Sequence, residues 1–160
     1  MEMIMNIKII AFVALSSVVF SSNSFAQTLI DGSNIDEIVN IATGYGSATL
    51  QRNDEGEPAI RGRIEGNPYY LTFRNCTEEN SCEDFYFQSF IIKPVIDFKK
   101  ANEWNFNKRW TKLYFDDDDD ATLEMDVNLG GGVTITNVEQ AFSIWSQHME
   151  SFYDDFLEKK

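Results

Sequence analysis

The sequence predicts an α+β fold: an antiparallel β-sheet with helices packed on one face, in the order α-β-β-β-β-α-β-β-α. Three observations carry this. Short segments with a two-residue apolar period follow one another across turn residues, as strands of a meander do. Segments with a helical period stand before, between and after them. The strands come in runs rather than alternating one by one with helices, which separates α+β from a parallel α/β sheet.

The elements follow in chain order. Ile35, Ile38, Val39 and Ala42 recur at helical spacing, with Ser33 or Asn34 as cap and Gly44 as stop, so a helix is expected from about Ile35 to Thr43. From Ala48 the period becomes two. Asn53 to Pro58 is turn chemistry, Ala59 to Ile64 a second strand, and Glu65-Gly66-Asn67-Pro68 a second turn. Tyr69, Leu71 and Phe73 mark a third strand. Asp84 to Ile92 is apolar on both faces, which predicts a central strand or one covered twice. Pro94 is expected to open a helix carrying Val95, Ile96, Phe98, Ala101 and Trp104. Trp110 to Phe115 and Thr122 to Leu129 flank an acidic run as a hairpin, and Gly130-Gly131-Gly132 ends it. Thr136-Asn137-Val138-Glu139 reads as a capping box for a last helix. Its apolar seam is Val138, Phe142, Trp145, Met149, Phe152 and Phe156.

The first 26 residues read as an address rather than as fold. Lys8 precedes an apolar core from Ile9 to Phe20, and Ser24-Phe25-Ala26 is a small-x-small end, the three parts of a secretory signal peptide. The core falls short of the about 20 residues that a membrane span requires, so no stable anchor is expected. Glu2 is unusual in a basic start, and initiation at Met5 gives a more ordinary signal. The expected domains are a signal peptide over 1–26 and one α+β domain over 27–160, periplasmic or secreted after cleavage near Ala26.

Thirteen basic residues stand against 26 acidic ones in 160, a net charge of −13. That excess repels phosphates and argues against nucleic acid or an anionic membrane surface as partner. The only cysteines, Cys76 and Cys82, would reach an oxidising compartment, where a disulfide is the expected state. A metal site or free thiols are the alternatives, and zinc needs about four ligands. Closing so short a loop stabilises by about 2 kcal/mol.

Little in the sequence points to catalysis. His148 is the one histidine, and Ser143 and Ser151 share its helix, so spacing alone brings no nucleophile and base together. It reads as a partly exposed surface residue. Asp116, Asp118 and Asp120 match the first ligand positions of a calcium loop, but Ala121 and Val127 replace its required Gly and Glu. Calcium or small-ligand binding by an acidic periplasmic protein is the alternative function this run supports. No phosphate loop or dinucleotide motif occurs, and no cofactor is expected. Trp104, Trp110, Trp145 and Phe106 are assigned to the core or its margin, and Arg109 is available to pair with a carboxylate.

An ordered set of segments resembles the YbjN-domain family. These are Gly44-Tyr45-Gly46, Gly56 to Gly62, Cys76 with Cys82, Asn102-Glu103-Trp104-Asn105 with Arg109, Asp116, and Asp126-Val127 with Gly131-Gly132. The resemblance implies a fold similar to type III secretion chaperones, which form homodimers and bind extended protein segments. It also implies the label of a sensory-transduction regulator and no catalysis. The expected function is an exported, non-enzymatic protein-interaction module, chaperone-like or regulatory, with a protein or peptide partner. Tyr86, Phe90 and Ile92, on the doubly apolar strand, are the candidate contact residues. An unpaired strand edge would accept an extended peptide.

Intact-mass measurement of the exported protein is expected to give a chain beginning at Gln27. A product retaining Met1 or Met5 contradicts the signal-peptide reading.

Overall fold

The two-residue and 3.6-residue periods resolve into eight strands and three helices in the computed structural model, which describes residues 28–77, 81–92, 94 and 97–157. The elements are β1 (Leu29–Ile30), α1 (Ile35–Thr43), β2 (Ser47–Arg52), β3 (Pro58–Ile64), β4 (Asn67–Arg74) and β5 (Asp84–Ile91). They continue with α2 (Phe98–Asn107), β6 (Lys112–Phe115), β7 (Ala121–Asn128), β8 (Val133–Thr134) and α3 (Ile135–Phe156). The expected α+β class is observed. The signal-peptide segment lies outside the described residues.

Six strands form one antiparallel sheet in the order β2-β3-β4-β5-β7-β6. The first four are the expected meander. The hairpin then folds back so that β7 lies beside β5 and β6 becomes the edge. A separate two-stranded sheet, β1 with β8, was not expected from the sequence. Each strand is only two residues long, too short to show a period, and the pairing joins Ile30 to Val133 across most of the chain.

Local chemistry sets the connections. Glu65 and Gly66 both have positive φ (51° and 84°), the two-residue turn whose twist suits a hairpin. The turn is therefore only these two residues, and Asn67 and Pro68 belong to β4. Gly62 lies opposite Tyr69, where a Cβ would come within 2.4 Å of the ring. α1 begins where predicted, but the Asn34 side chain turns back to accept from the Asp31 N–H at 2.9 Å instead of capping the helix. α3 begins one residue before Thr136, and Thr134 rather than Thr136 is its cap, accepting from the Asn137 N–H at 3.1 Å. α2 starts at Phe98, not Pro94, because the Asp97 carboxylate accepts from the Lys100 N–H at 2.9 Å. Val95 and Ile96 lie outside the described residues.

The core lies between one sheet face and the helices. Phe87, at the centre of β5, stacks on Trp145 of α3 at 5.0 Å and meets Phe142 edge-on at 4.9 Å. All six seam residues of α3 are buried, as expected. Trp104 and Trp145 are core residues, whereas Phe106 (88% exposed) and Trp110 (57% exposed) are not, which corrects the sequence assignment. Phe106 sits on the outer side of α2, and β6 begins only at Lys112, so Trp110 precedes the strand. Arg109, expected to seek a carboxylate, lies over the Trp110 ring at 5.5 Å.

Phe87→Ala is expected to destabilise the fold by about 3–5 kcal/mol in denaturant unfolding. Phe106→Ala is expected to change it by about 0.5 kcal/mol or less. Similar losses for both would contradict the core described here.

Candidate functional site: the open face of the sheet

Strand alternation determines which side chains the helices cover. On β5, Phe85, Phe87, Ser89 and Ile91 point inward and are buried, so Tyr86, Gln88 and Phe90 point to the other face. Cross-strand register builds that face in rows. One row runs Thr49, Arg61, Tyr70, Gln88, Glu124 and Lys112 across all six strands. Beside it lies the row Gln51, Ala59, Thr72, Tyr86 and Asp126.

The rings and charges interleave. The Arg61 guanidinium lies 5.9 Å from the Tyr70 ring, and Tyr70 meets Phe90 at 6.1 Å. Arg74 covers the Tyr86 ring at 5.0 Å and donates to its hydroxyl at 3.1 Å. Glu124 is only 9% exposed although, among the described residues, it lies on the sheet face away from the helices. Its carboxylate accepts from Gln88 at 3.0 Å and from the Tyr114 hydroxyl at 3.1 Å, and it pairs with Lys112 at 2.5 Å. The Glu124 hydrogen bond holds the Lys112 ammonium above its ordinary pKa. Burial, followed by the Glu124 charge, raises the Tyr114 phenol. A shallow polar depression of about 280 Å³ opens among Arg74, Tyr86, Gln88, Glu124 and Asp126.

The three residues expected to contact a partner therefore have distinct settings. Phe90 is 38% exposed on this face, Tyr86 is half-buried beneath Arg74, and Ile92, just beyond β5, is 73% exposed. β5 is a central strand, as expected, with β4 on one side and β7 on the other, so its own edges are both paired.

The other sequence candidates serve the scaffold. Asp116 uses one carboxylate oxygen to accept from the N–H groups of Asp118 and Asp120, at 3.0 and 2.9 Å, closing the β6–β7 hairpin. Among the described residues, no three acidic, histidine or cysteine side chains converge as a metal site. Cys76 and Cys82 form the expected disulfide. Gly32, in the turn before α1, packs so closely on it that a Cβ there would meet the Cys82 carbonyl at 1.9 Å.

His148 is partly exposed, as expected, but its ring also enters a side-chain network. The Trp104 indole donates to the Thr111 hydroxyl at 3.1 Å, and Thr111 lies 2.9 Å from His148 Nδ1. The Thr111 hydroxyl accepts from the indole and can donate to Nδ1 or accept from it, according to the tautomer of the ring. Burial, reinforced by the Lys108 charge, lowers the His148 pKa from its ordinary 6.5. Sequence reasoning missed this trio, and also Asn105, whose side chain bonds both main-chain groups of Leu113 at 2.8 Å. The only sequence signal was that Trp104 and Asn105 stand together in one of the segments carrying the resemblance.

A family model, "Putative bacterial sensory transduction regulator" (YbjN), matches residues 34–158. The chain belongs to the YbjN family. No curated protein matches it. Several residues of the YbjN resemblance now have structural roles. Tyr45 donates to the Glu139 carbonyl at 2.8 Å and stacks on Phe142, tying the end of α1 to α3. Trp104 anchors α2, Asn105 covers the edge of β6, Asp116 closes a hairpin, and Gly131 and Gly132 both take positive φ. Among the described residues, no helix is long and apolar enough to cross a membrane.

A histidine whose pKa the fold lowers binds fewer protons than in the unfolded chain. Its contribution is complete above pH 6.5 and falls as pH drops through 6.5 toward the lower folded value. Thermal unfolding from pH 7.5 to 5.5 is therefore expected to lower the midpoint of the natural protein more than that of His148→Gln. Parallel midpoints would contradict the lowered His148 pKa.

Proposed function

We propose that the mature chain works outside the cytoplasm, in the periplasm or secreted, as a non-enzymatic protein-interaction module. It receives a protein or peptide segment on the open sheet face around Tyr86, Phe90 and Ile92, in a chaperone-like or regulatory role. The observation that carries the reading is the placement of rings on that face. Tyr70, Tyr86 and Phe90 stand on strands held rigid from behind, flanked by Arg61 and Arg74, with no helix of the described residues over them. Rigid aromatics beside arginine make up the residue chemistry of protein interfaces.

Other features support parts of the proposal. The family's description as a regulator agrees with recognition rather than turnover. The basic start, short apolar core and small-x-small end of the first 26 residues favour export. The Cys76–Cys82 bond suits an oxidising compartment. The acidic surface favours a basic or apolar polypeptide over nucleic acid. The calcium alternative loses ground because Asp116 already uses its carboxylate on main-chain groups of its own turn.

The test compares binding of proteins from envelope extract by the natural chain and by Phe90→Glu and Ile92→Glu. Both side chains are exposed, so folding is expected to survive. Retention of specifically bound protein is expected to drop about tenfold. Undiminished retention by both variants overturns the assignment of this face.

A further inference from the structure

The two edges of the sheet are treated in opposite ways. At β6, Asn105 donates to the Leu113 carbonyl and accepts from its N–H, both at 2.8 Å, so an amide side chain fills the place of a neighbouring strand. At β2 the edge is bare, and all but one of its six residues are exposed. Register shows which main-chain groups it offers. The turn at Glu65 and Gly66 makes Ile64 and Asn67 a hydrogen-bonded pair, so bonded and non-bonded pairs alternate from there. Ala59, Arg61 and Arg63 consequently turn their N–H and C=O groups toward Gln51, Thr49 and Ser47. The Asn53 N–H bond to the Glu57 carbonyl at 2.9 Å continues the same alternation. Ala48, Leu50 and Arg52 are left with their main-chain groups directed outward, and among the described residues nothing bonds to them.

We propose that β2 is a self-pairing edge: it joins β2 of a second copy of this chain, antiparallel, with Leu50 on the two-fold axis. The inference deepens the interaction-module reading by naming a surface of the same domain and the partner that fits it. Three observations select a second copy. Leu50 is 43% exposed at the rim of the core face, cross-strand from buried Ile60, and its own copy would complete its burial. Arg52 is the one charged residue of Ser47–Arg52, so this pairing sets Arg52 opposite Ala48 and no like charges together. The register is also constrained. Centring on Arg52 would oppose two guanidinium groups, and centring on Ala48 or Thr49 would draw in Gly46, outside the strand. Only the Leu50 centre keeps every bonded pair within Ala48 to Arg52. β2 contains no proline, lysine or acidic residue of the kind that guards an edge against pairing. The two sheets would then run on as one, with their open faces side by side.

Light scattering on the mature chain is expected to show the mass of two chains at about 100 μM. Leu50→Lys, an inward charge on the edge, is expected to weaken association about tenfold or more while circular dichroism stays unchanged. Thr49 and Gln51 face each other across the proposed axis as a close, non-hydrogen-bonded pair. Thr49→Cys/Gln51→Cys is therefore expected to form a covalent dimer under mild oxidation, and Thr49→Cys alone is not. A single-chain mass for the natural protein, a Leu50→Lys dimer of full strength, or cross-linking by Thr49→Cys alone overturns the proposal. Envelope-protein capture through Phe90 and Ile92 is read separately, so a monomer that still captures removes this inference and leaves the interaction reading in place.

Discussion

The contact between Phe87 and the rings of Trp145 and Phe142 governs the rest of the molecule. It presses the middle of the longest helix against the middle of the sheet. Because strand side chains alternate, fixing Phe87 inward fixes every other residue of β5, and register passes that choice to each neighbouring strand. The inward set is almost entirely apolar. The outward set is a lattice of tyrosines, arginines, carboxylates and amides that no helix of the described residues covers. The open face thus follows from the aromatic packing on the opposite side.

The residues that carry the family resemblance belong largely to this framework. Tyr45 ties α1 to α3, Trp104 ties α2 to the Thr111–His148 pair, and Asn105 finishes the edge strand. Asp116 and the paired glycines shape the ends of the β6–β7 hairpin. Each meets a geometric need of a sheet with helices on one side. Membership in the YbjN family is in that sense a statement about architecture.

The open face is also where the acidic balance is handled locally. Glu124 is tolerated at low exposure because Gln88, Tyr114 and Lys112 supply three bonds to it, and Arg74 and Arg61 lie flat on tyrosine rings. These contacts hold long side chains in place and leave Phe90 as the exposed apolar element among them. A surface already ordered in this way loses less conformational freedom when a partner arrives.

The sequence by itself determined what depends on local period and short-range chemistry. That covers α1 from Ile35 to Thr43, the meander, the seam of α3 and the Cys76–Cys82 pair. Helical and strand periods are properties of neighbouring residues, and a close cysteine pair needs little from the rest of the chain. Only the tertiary structure decided that β7 rather than β6 lies beside β5, that β1 finds β8, and that Trp110 and Phe106 remain outside. It also placed His148 against Thr111 and Asn105 against Leu113. Each of these depends on which distant segment arrives alongside, and a local pattern shows which face of an element is apolar but not what will cover it.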